Sequence, residues 1–121
     1  MAKVLVVEDN AANLTLAVFL LHSAGHTVVS ATTAEAGLTL AAAEQPDLIL
    51  MDIQLPGMDG LDATSLLKEN PATQAIPVIA LTALAMKGDE ERIRDAGCDG
   101  YIGKPINYRD FLNTIQALAL T

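Results

Sequence analysis

The sequence predicts a doubly wound α/β fold, in which a five-stranded parallel sheet of order 2-1-3-4-5 carries helices on both faces. Short runs rich in Val, Ile and Leu alternate with longer segments of helical pattern, which indicates parallel strands joined by crossover helices. The chain has 121 residues, of which 51% are hydrophobic, so one domain can bury a substantial core. Because no linker, repeat or low-complexity segment interrupts this pattern, we expect a single domain over residues 1–121.

The predicted strands are short and mostly apolar. The third is apolar after its first residue, as expected for a central strand covered on both faces. The second is rich in Val and Thr and has no chemically active residue after it, which favours an edge position. Pro77 lies near the start of the fourth, where a missing N–H is tolerated. The predicted ranges are residues 4–7, 27–31, 47–51, 76–81 and 101–102.

Capping and breaking residues set the predicted helix boundaries. Gly25 ends the first helix, Pro46 follows the second and Asn70 ends the third. The segment 32–35 resembles a capping box at the start of the second helix, and Asn107 is predicted to cap the fifth. The predicted ranges are residues 10–24, about 32–44, 61–69, 84–96 and from 107 onwards.

Composition excludes several classes of function. A net charge of −8 opposes nonspecific nucleic-acid binding and suits a protein that docks on other proteins or holds a cation. Cys98 is the sole cysteine, so no internal disulfide is possible. The apolar run after Lys3 is too short for a signal peptide, and no stretch is long enough to span a membrane. We therefore expect a cytoplasmic protein without membrane insertion.

Polar residues that could bind a ligand or take part in a reaction follow four of the five predicted strands. Glu8 and Asp9 follow the first strand, Asp52 the third and Thr82 the fourth, while Lys104 lies just past the fifth. Ligands bind at the carboxyl ends of the strands in open parallel sheets. Strands one and three are neighbours in the predicted order, so these side chains should converge at one rim.

The residue types point to a cation and to phosphoryl chemistry. Three close carboxylates repel one another, and a single Lys cannot neutralise them, so Mg²⁺ is the natural complement. A carboxylate nucleophile beside a metal, a hydroxyl and an ammonium can receive a phosphoryl group. Each residue alone also has a structural interpretation: Glu8 and Asp9 as acids at a helix N-terminus, Thr82 as a cap, Lys104 as a loop charge.

Four segments together resemble the receiver domain of two-component response regulators. They are VVEDN at 6–10, LMDIQLPGMDG at 50–60, ALTA at 80–83 and GKP at 103–105. The resemblance covers nearly the whole chain and implies the flavodoxin-like (βα)5 receiver fold. The segments 52–56 and 85–94 are further similar to single-domain cell-division regulators of the DivK type.

The resemblance implies a role for each site residue. Asp52 would accept phosphate from a histidine kinase or a histidine phosphotransfer protein. Glu8, Asp9, Asp52 and the backbone carbonyl of Gln54 would bind Mg²⁺, although many receivers carry Asp at the position of Glu8. Thr82 and Lys104 would contact the phosphoryl oxygens. Tyr101 matches the switch aromatic that turns inward when Thr82 moves, and the Lys104–Pro105 bond is expected to be cis.

A receiver without an output domain would act through protein binding or onward phosphotransfer, as a monomer or weak dimer. The alternative is a receiver belonging to a hybrid histidine kinase or a phosphorelay shuttle. Leu16 and Leu20, with Phe19 nearby, are predicted on the outer side of the first helix as a docking patch. A second candidate surface includes Lys87, Tyr101 and Tyr108. The apolar Leu84, unable to position hydrolytic water with Gln54, predicts a long-lived phosphoryl group.

A receiver is not expected to be an enzyme, although it takes part in its own phosphorylation and dephosphorylation. Three other functions are alternatives to a receiver. An Asp-nucleophile phosphatase needs a second Asp two residues after the nucleophile, where this chain has Gln54. In a flavodoxin-like electron carrier, Glu8 and Asp9 would repel the flavin phosphate. A structural scaffold that never meets phosphate is the third.

Overall fold

The computed structural model describes residues 2–83 and 87–119 of the chain. Five strands and five helices alternate in the order of the sequence. Their bounds are β1 (Lys3–Val7), α1 (Ala11–Ser23), β2 (Thr27–Ala31), α2 (Ala34–Glu44), β3 (Leu48–Asp52), α3 (Gly60–Glu69), β4 (Val78–Thr82), α4 (Lys87–Asp95), β5 (Gly100–Gly103) and α5 (Tyr108–Ala119). All strand pairs are parallel and the sheet order is β2-β1-β3-β4-β5, so the predicted fold class is confirmed.

The sheet separates two hydrophobic layers. Successive residues of a strand point to opposite faces, and in β1 this places Leu5 and Val7 in one layer and Val4 and Val6 in the other. The first layer also takes the buried faces of α2, α3 and α4, and the second takes those of α1 and α5. Because both faces are covered, β3 and β4 are buried along their whole length.

Side chains cap four of the described helices, and the predicted cap of α5 is confirmed, since Asn107 Oδ1 accepts from the Asp110 amide at 3.2 Å. Asn10 accepts a hydrogen bond from the Asn13 amide at 3.0 Å, and Asp59 caps α3 in the same way. At α2 the capping residue is Thr33, whose Oγ1 accepts from the Ala36 amide at 3.1 Å. The capping box predicted at 32–35 is therefore wrong: the cap lies one residue later, at Thr33, and Glu35 is too early in the helix to complete a box with it.

Two strand starts differ from the sequence prediction. β3 begins at Leu48 because the Asp47 side chain turns back to accept from the Lys3 amide at 2.8 Å. β4 begins at Val78, two residues later than predicted, because the Ile76 amide donates to the Thr73 carbonyl in a turn. Both strands instead extend to Asp52 and Thr82, so these two residues are the last of their strands.

The prediction that Leu20 lies on the outer side of α1 is wrong. Leu20 is only 8% exposed and belongs to the same buried layer as Ala17 and Leu21. The reason is that α5 packs beside α1, which widens the covered stripe of the helix beyond the one that faces the sheet. Leu16 and Phe19 remain exposed, at 39% and 65%.

Within the described ranges, every helix is too short or too polar to cross a lipid bilayer.

Candidate functional site

The sheet ladder places the predicted site residues at its carboxyl rim. Beyond the last residue of β1, the Glu8 amide donates to the Ala31 carbonyl at 3.0 Å. The Lys104 amide donates to the Thr82 carbonyl at 2.8 Å, which holds the chain after β5 beside the end of β4. The backbone positions of Glu8, Asp52, Thr82 and Lys104 are thus set by regular strand pairing rather than by free loops.

Glu8, Asp9 and Asp52 bring their carboxylates together as predicted. One oxygen from each lies within 4.8 Å of the others. Glu8 is fully buried and Asp52 is 3% exposed, whereas Asp9 is open to solvent. The cluster therefore has a buried floor of two acids and an exposed side formed by the third.

Lys104 is the cation of this cluster. Its Nζ lies 2.8 Å from Glu8 Oε1 and 3.2 Å from Asp52 Oδ2, so it bridges the two buried acids. Backbone amides contact the other oxygens: the Asn10 amide donates to Glu8 Oε2 at 3.3 Å and the Gln54 amide to Asp52 Oδ1 at 3.1 Å. The Lys104–Pro105 bond is cis, as the resemblance implies.

The two buried acids, Glu8 and Asp52, differ in the direction of their pKa shifts. Burial, the hydrogen bond with Glu8 and the charge of Glu8 raise the pKa of Asp52 to about 7. Burial alone would raise the pKa of Glu8 as well, but its contacts with Asp52, Lys104 and the Asn10 amide lower it. Burial opposes the charge of Lys104, yet its two carboxylate partners raise its pKa. Without a further cation, Asp52 is therefore mostly protonated below about pH 7 and mostly ionised above it.

A divalent cation fits this donor set. Carboxylate oxygens at this spacing are the ligands that Mg²⁺ prefers, and the open side at Asp9 leaves room for water ligands. Glu8 Oε1 forms an ion pair with Lys104 but accepts no well-directed hydrogen bond among the described residues. Such a buried oxygen has a lone pair left for a metal or for a metal-bound water.

Gly60 closes the back of the site, a role that the sequence prediction did not assign. Its amide donates to the Ile53 carbonyl at 2.9 Å, and a Cβ on Gly60 would lie 2.0 Å from the Asp52 carbonyl oxygen. No side chain fits at that distance, so α3 begins in direct contact with the backbone of Asp52. The sequence prediction, which begins the third helix at residue 61, did not indicate this contact.

Thr82 and Tyr101 lie on neighbouring strands. Thr82 is 2% exposed and pairs in register with Gly103, while Tyr101 pairs with Ala80. The Tyr101 ring is 40% exposed, and its hydroxyl donates to the carboxylate of Glu90 on α4. Sequence reasoning missed Glu90 because nothing in a helix pattern links it to a strand residue eleven positions later.

Of the remaining predicted residues, the structure describes Tyr108 in full, but not Lys87 or Leu84. Tyr108 is 55% exposed and its ring lies under the Arg109 guanidinium, 5.8 Å from the ring centre. Lys87 is the first residue of α4, but its side chain is outside the described part of the chain. Leu84 is also outside the described residues, so the prediction about hydrolytic water has no structural counterpart.

Comparison with known proteins identifies the family. The response regulator receiver domain matches residues 4–116. The chain belongs to this family. The polar-differentiation response regulator DivK of Brucella ovis is 48% identical over 114 residues, which cover 94% of this chain and 93% of that protein. DivK of Brucella abortus matches to the same extent.

Solved receiver structures share the fold. The receiver domain of sensor histidine kinase PA1611 from Pseudomonas aeruginosa, with a magnesium ion in its active-site cleft, has a TM-score of 0.92 at 32% identity and covers 99% of this receiver. That match covers 98% of the neighbour's own chain. The chemotaxis protein CheY4 of Vibrio cholerae has a TM-score of 0.92 at 26% identity, over 98% of both chains.

Proposed function

We propose that this receiver is a single-domain response regulator that takes a phosphoryl group from a phosphohistidine onto Asp52. The observation that carries the proposal is the buried Asp52 carboxylate, held at the end of β3 between Glu8 and Lys104. Burial opposes the charge of this acid, and buried acids with a strongly shifted pKa are typical of functional sites. Transfer changes the charge at the rim and thereby alters which proteins bind.

In the proposed reaction, a carboxylate oxygen of Asp52 attacks phosphorus while the phosphorus–nitrogen bond of the phosphohistidine breaks. The imidazole leaves with the bonding electrons and takes up a proton. Asp52 must be deprotonated to attack, and Lys104 favours that form while offsetting charge on the phosphoryl oxygens. The Thr82 hydroxyl, at the end of the neighbouring strand, is the proposed donor to one of these oxygens.

Mg²⁺ is the proposed cofactor, held by Glu8, Asp9, Asp52 and the backbone carbonyl of Gln54. When bound, it would neutralise the excess carboxylate charge and that of the incoming phosphoryl group. Support comes from the three converging carboxylates and from the magnesium ion in the cleft of the PA1611 receiver.

The relatives favour a single-domain regulator over a receiver excised from a kinase. The DivK proteins are 48% identical to this chain, whereas the similar kinase receiver is 32% identical. The alternative remains a receiver of a hybrid kinase or a phosphorelay shuttle. Transfer of phosphate from Asp52 to a histidine phosphotransfer protein, without any phosphate-dependent target, would favour that alternative.

The proposed donor surface is the outer face of α1. A shallow cavity of about 610 Å³ is lined by Ala11, Ala12, Thr15, Leu16 and Phe19. This face begins directly after the Glu8–Asp9 rim, so an apolar helix docked here would carry a phosphohistidine close to Asp52. The partner expected on this face is therefore the histidine kinase or histidine phosphotransfer protein.

The test uses Mg²⁺ and a small acyl-phosphate donor, read out by intact-protein mass spectrometry and peptide mapping. We expect the mass to increase by one phosphoryl group, with the modification on Asp52 and none in Asp52→Asn. The control variant is Asp62→Asn, an exposed acid on α3 that should still be phosphorylated. A modification at another residue, or steady release of phosphate without a modified protein, would contradict the proposal and favour a phosphatase.

A further inference from the structure

Glu90 forms the one described contact that holds the Tyr101 hydroxyl in its exposed position. The Tyr101 hydroxyl donates to the Glu90 carboxylate across the gap between β5 and α4. A hydrogen bond to a charged acceptor is stronger than a neutral one. The ring itself is 40% exposed, so burial contributes little to fixing it there.

Space is available for a second position of the Tyr101 ring. Tyr101 and Gly103 lie on the same face of β5, because successive residues of a strand alternate. A Cβ built on Gly103 has no heavy atom within 4 Å, and Gly103 pairs with Thr82 at the rim of the site. Among the described residues, no atom beside Gly103 therefore blocks movement of the ring toward Thr82, and the hydrogen bond to Glu90 is the described side-chain bond that must break first.

The present position of the ring also shapes two cavities. Tyr101 and Glu90 both line a cavity of about 470 Å³ between α4, β5 and α5. Tyr101 also lines a second cavity of about 340 Å³, which includes Lys104 and Asn107. Movement of one ring would change both cavities, one of which contacts the site directly.

We propose that Glu90 is a positioning residue that holds Tyr101 outward and thereby opposes the phosphorylated arrangement of the site. This inference rests on the proposed phosphorylation of Asp52. The Tyr101 ring then has two positions, outward beside Glu90 and inward near Thr82. The hydrogen bond to Glu90 stabilises only the outward position. By thermodynamic linkage, removal of Glu90 favours the inward ring, and it favours the phosphorylated state by up to the same factor.

The expected size follows from the strength of one hydrogen bond. Because the bond is exposed to solvent, we expect its loss to change the ratio of the two states by only about two- to tenfold. Glu90→Ala should produce that change, and Glu90→Gln, which keeps an acceptor, should produce a smaller one. Glu91→Ala is the matched control, because Glu91 is an exposed neighbour without a hydrogen bond to a described residue.

The experiment is ¹⁹F NMR of protein labelled with fluorotyrosine, since the chain has two tyrosines and Tyr108 serves as the internal reference. In unphosphorylated Glu90→Ala, the Tyr101 resonance should move toward its position in the phosphorylated wild type, while Tyr108 stays unchanged. Glu91→Ala should match the wild type. Identical Tyr101 resonances in Glu90→Ala and wild type would overturn the inference, as would an equal shift in Glu91→Ala.

Mass spectrometry on the same samples separates this inference from the proposed function. Glu90→Ala should still take one phosphoryl group on Asp52, and at a limiting concentration of acyl-phosphate donor more of it should be phosphorylated than of the wild type. If the wild type takes no phosphate on Asp52, the proposed function fails. If all variants are phosphorylated equally and Tyr101 does not shift, only the role of Glu90 fails.

Discussion

At the residue scale, the buried rim carries more negative charge than its lysine can balance. Lys104 bridges Glu8 and Asp52, and Asp9 adds a third carboxylate within reach of the same point. The Glu8 side chain is long enough to contact Lys104 at 2.8 Å, closer than Asp52 does. The result is a pair of acids in which Glu8 has the lowered pKa and Asp52, in the absence of a further cation, keeps a proton up to about pH 7.

This pairing predicts an unusual pH dependence for the metal-free protein. The pKa of Asp52 is about 7 in the folded chain against an ordinary 3.8, so between these values only the folded state holds the proton. Stability should therefore fall as pH rises from about 4 to about 7, by up to about 1.4 kcal/mol per pH unit. The lowered pKa of Glu8 contributes stability that is lost only below its ordinary value of 4.5. The raised pKa of Lys104 contributes stability that is lost only above its ordinary value of 10.5.

The change in unfolding free energy with pH can be measured by urea unfolding across this pH range, with a chelator present to keep the protein metal-free. Asp52→Asn should flatten this pH dependence and make the metal-free protein more stable at pH 7, whereas the control Asp62→Asn should keep the wild-type slope. A wild-type slope in Asp52→Asn would show that another group binds the proton.

At the element scale, adjacent residues of α1 lie on its exposed and buried sides: Phe19 is exposed, whereas Leu20 is buried. Phe19→Glu places a charge on a side chain that is 65% exposed, and we expect it to change stability by less than about 0.5 kcal/mol. Leu20→Glu buries an unpaired charge in the layer shared with α5, and we expect a loss of several kcal/mol. Urea unfolding compares the two variants.

The same pair tests the proposed docking face. Phe19→Glu should slow phosphotransfer from the histidine phosphotransfer domain that phosphorylates the wild type, by about tenfold or more. Its phosphorylation by a small acyl phosphate should stay unchanged. Normal transfer from the protein donor would place the docking surface elsewhere.

The contact between α3 and the end of β3 depends on one glycine. A Cβ at Gly60 would lie 2.0 Å from the Asp52 carbonyl oxygen, so Gly60→Ala must displace backbone. We expect a loss of about 1–3 kcal/mol in urea unfolding, together with weaker Mg²⁺ binding in a calorimetric titration. Gly103→Ala is the stability control, because a Cβ there meets no neighbouring atom within 4 Å. Equal stability of the two variants would show that α3 can move away from Asp52 at little cost.

At the scale of the whole molecule, a net charge of −8 and the acidic rim favour cation binding. A ligand that binds only the folded state stabilises it by mass action, about 2.7 kcal/mol at a hundredfold excess over its dissociation constant. Mg²⁺ should therefore raise the unfolding midpoint more than NaCl of equal ionic strength. In Asp9→Asn, where an exposed ligand is neutralised without disturbing the core, we expect most of this difference to disappear. If Mg²⁺ and NaCl act equally on the wild type, the acids do not form a metal site.

The sequence by itself determined the order of elements and the residues at the strand ends. Apolar runs separated by helical segments specify a parallel sheet. Because successive side chains of β1 point to opposite faces and all of Val4 to Val7 are apolar, both faces of the sheet must be buried. In a parallel sheet, the residues at the carboxyl ends of the strands all lie at the same edge, the carboxyl rim. Glu8, Asp52, Thr82 and Lys104 could therefore be assigned to one site without coordinates.

Only the tertiary structure decided which of these groups contact each other, and how. Helical periodicity placed Leu20 outside because it cannot show that α5 packs against α1. It likewise could not show that Glu90 meets Tyr101, or that Gly60 touches the backbone of Asp52. Each contact joins elements separated in sequence, so its geometry depends on packing angles that no local pattern specifies. The division of charge between Glu8 and Asp52 has the same origin, since it depends on burial and on distances to a shared lysine.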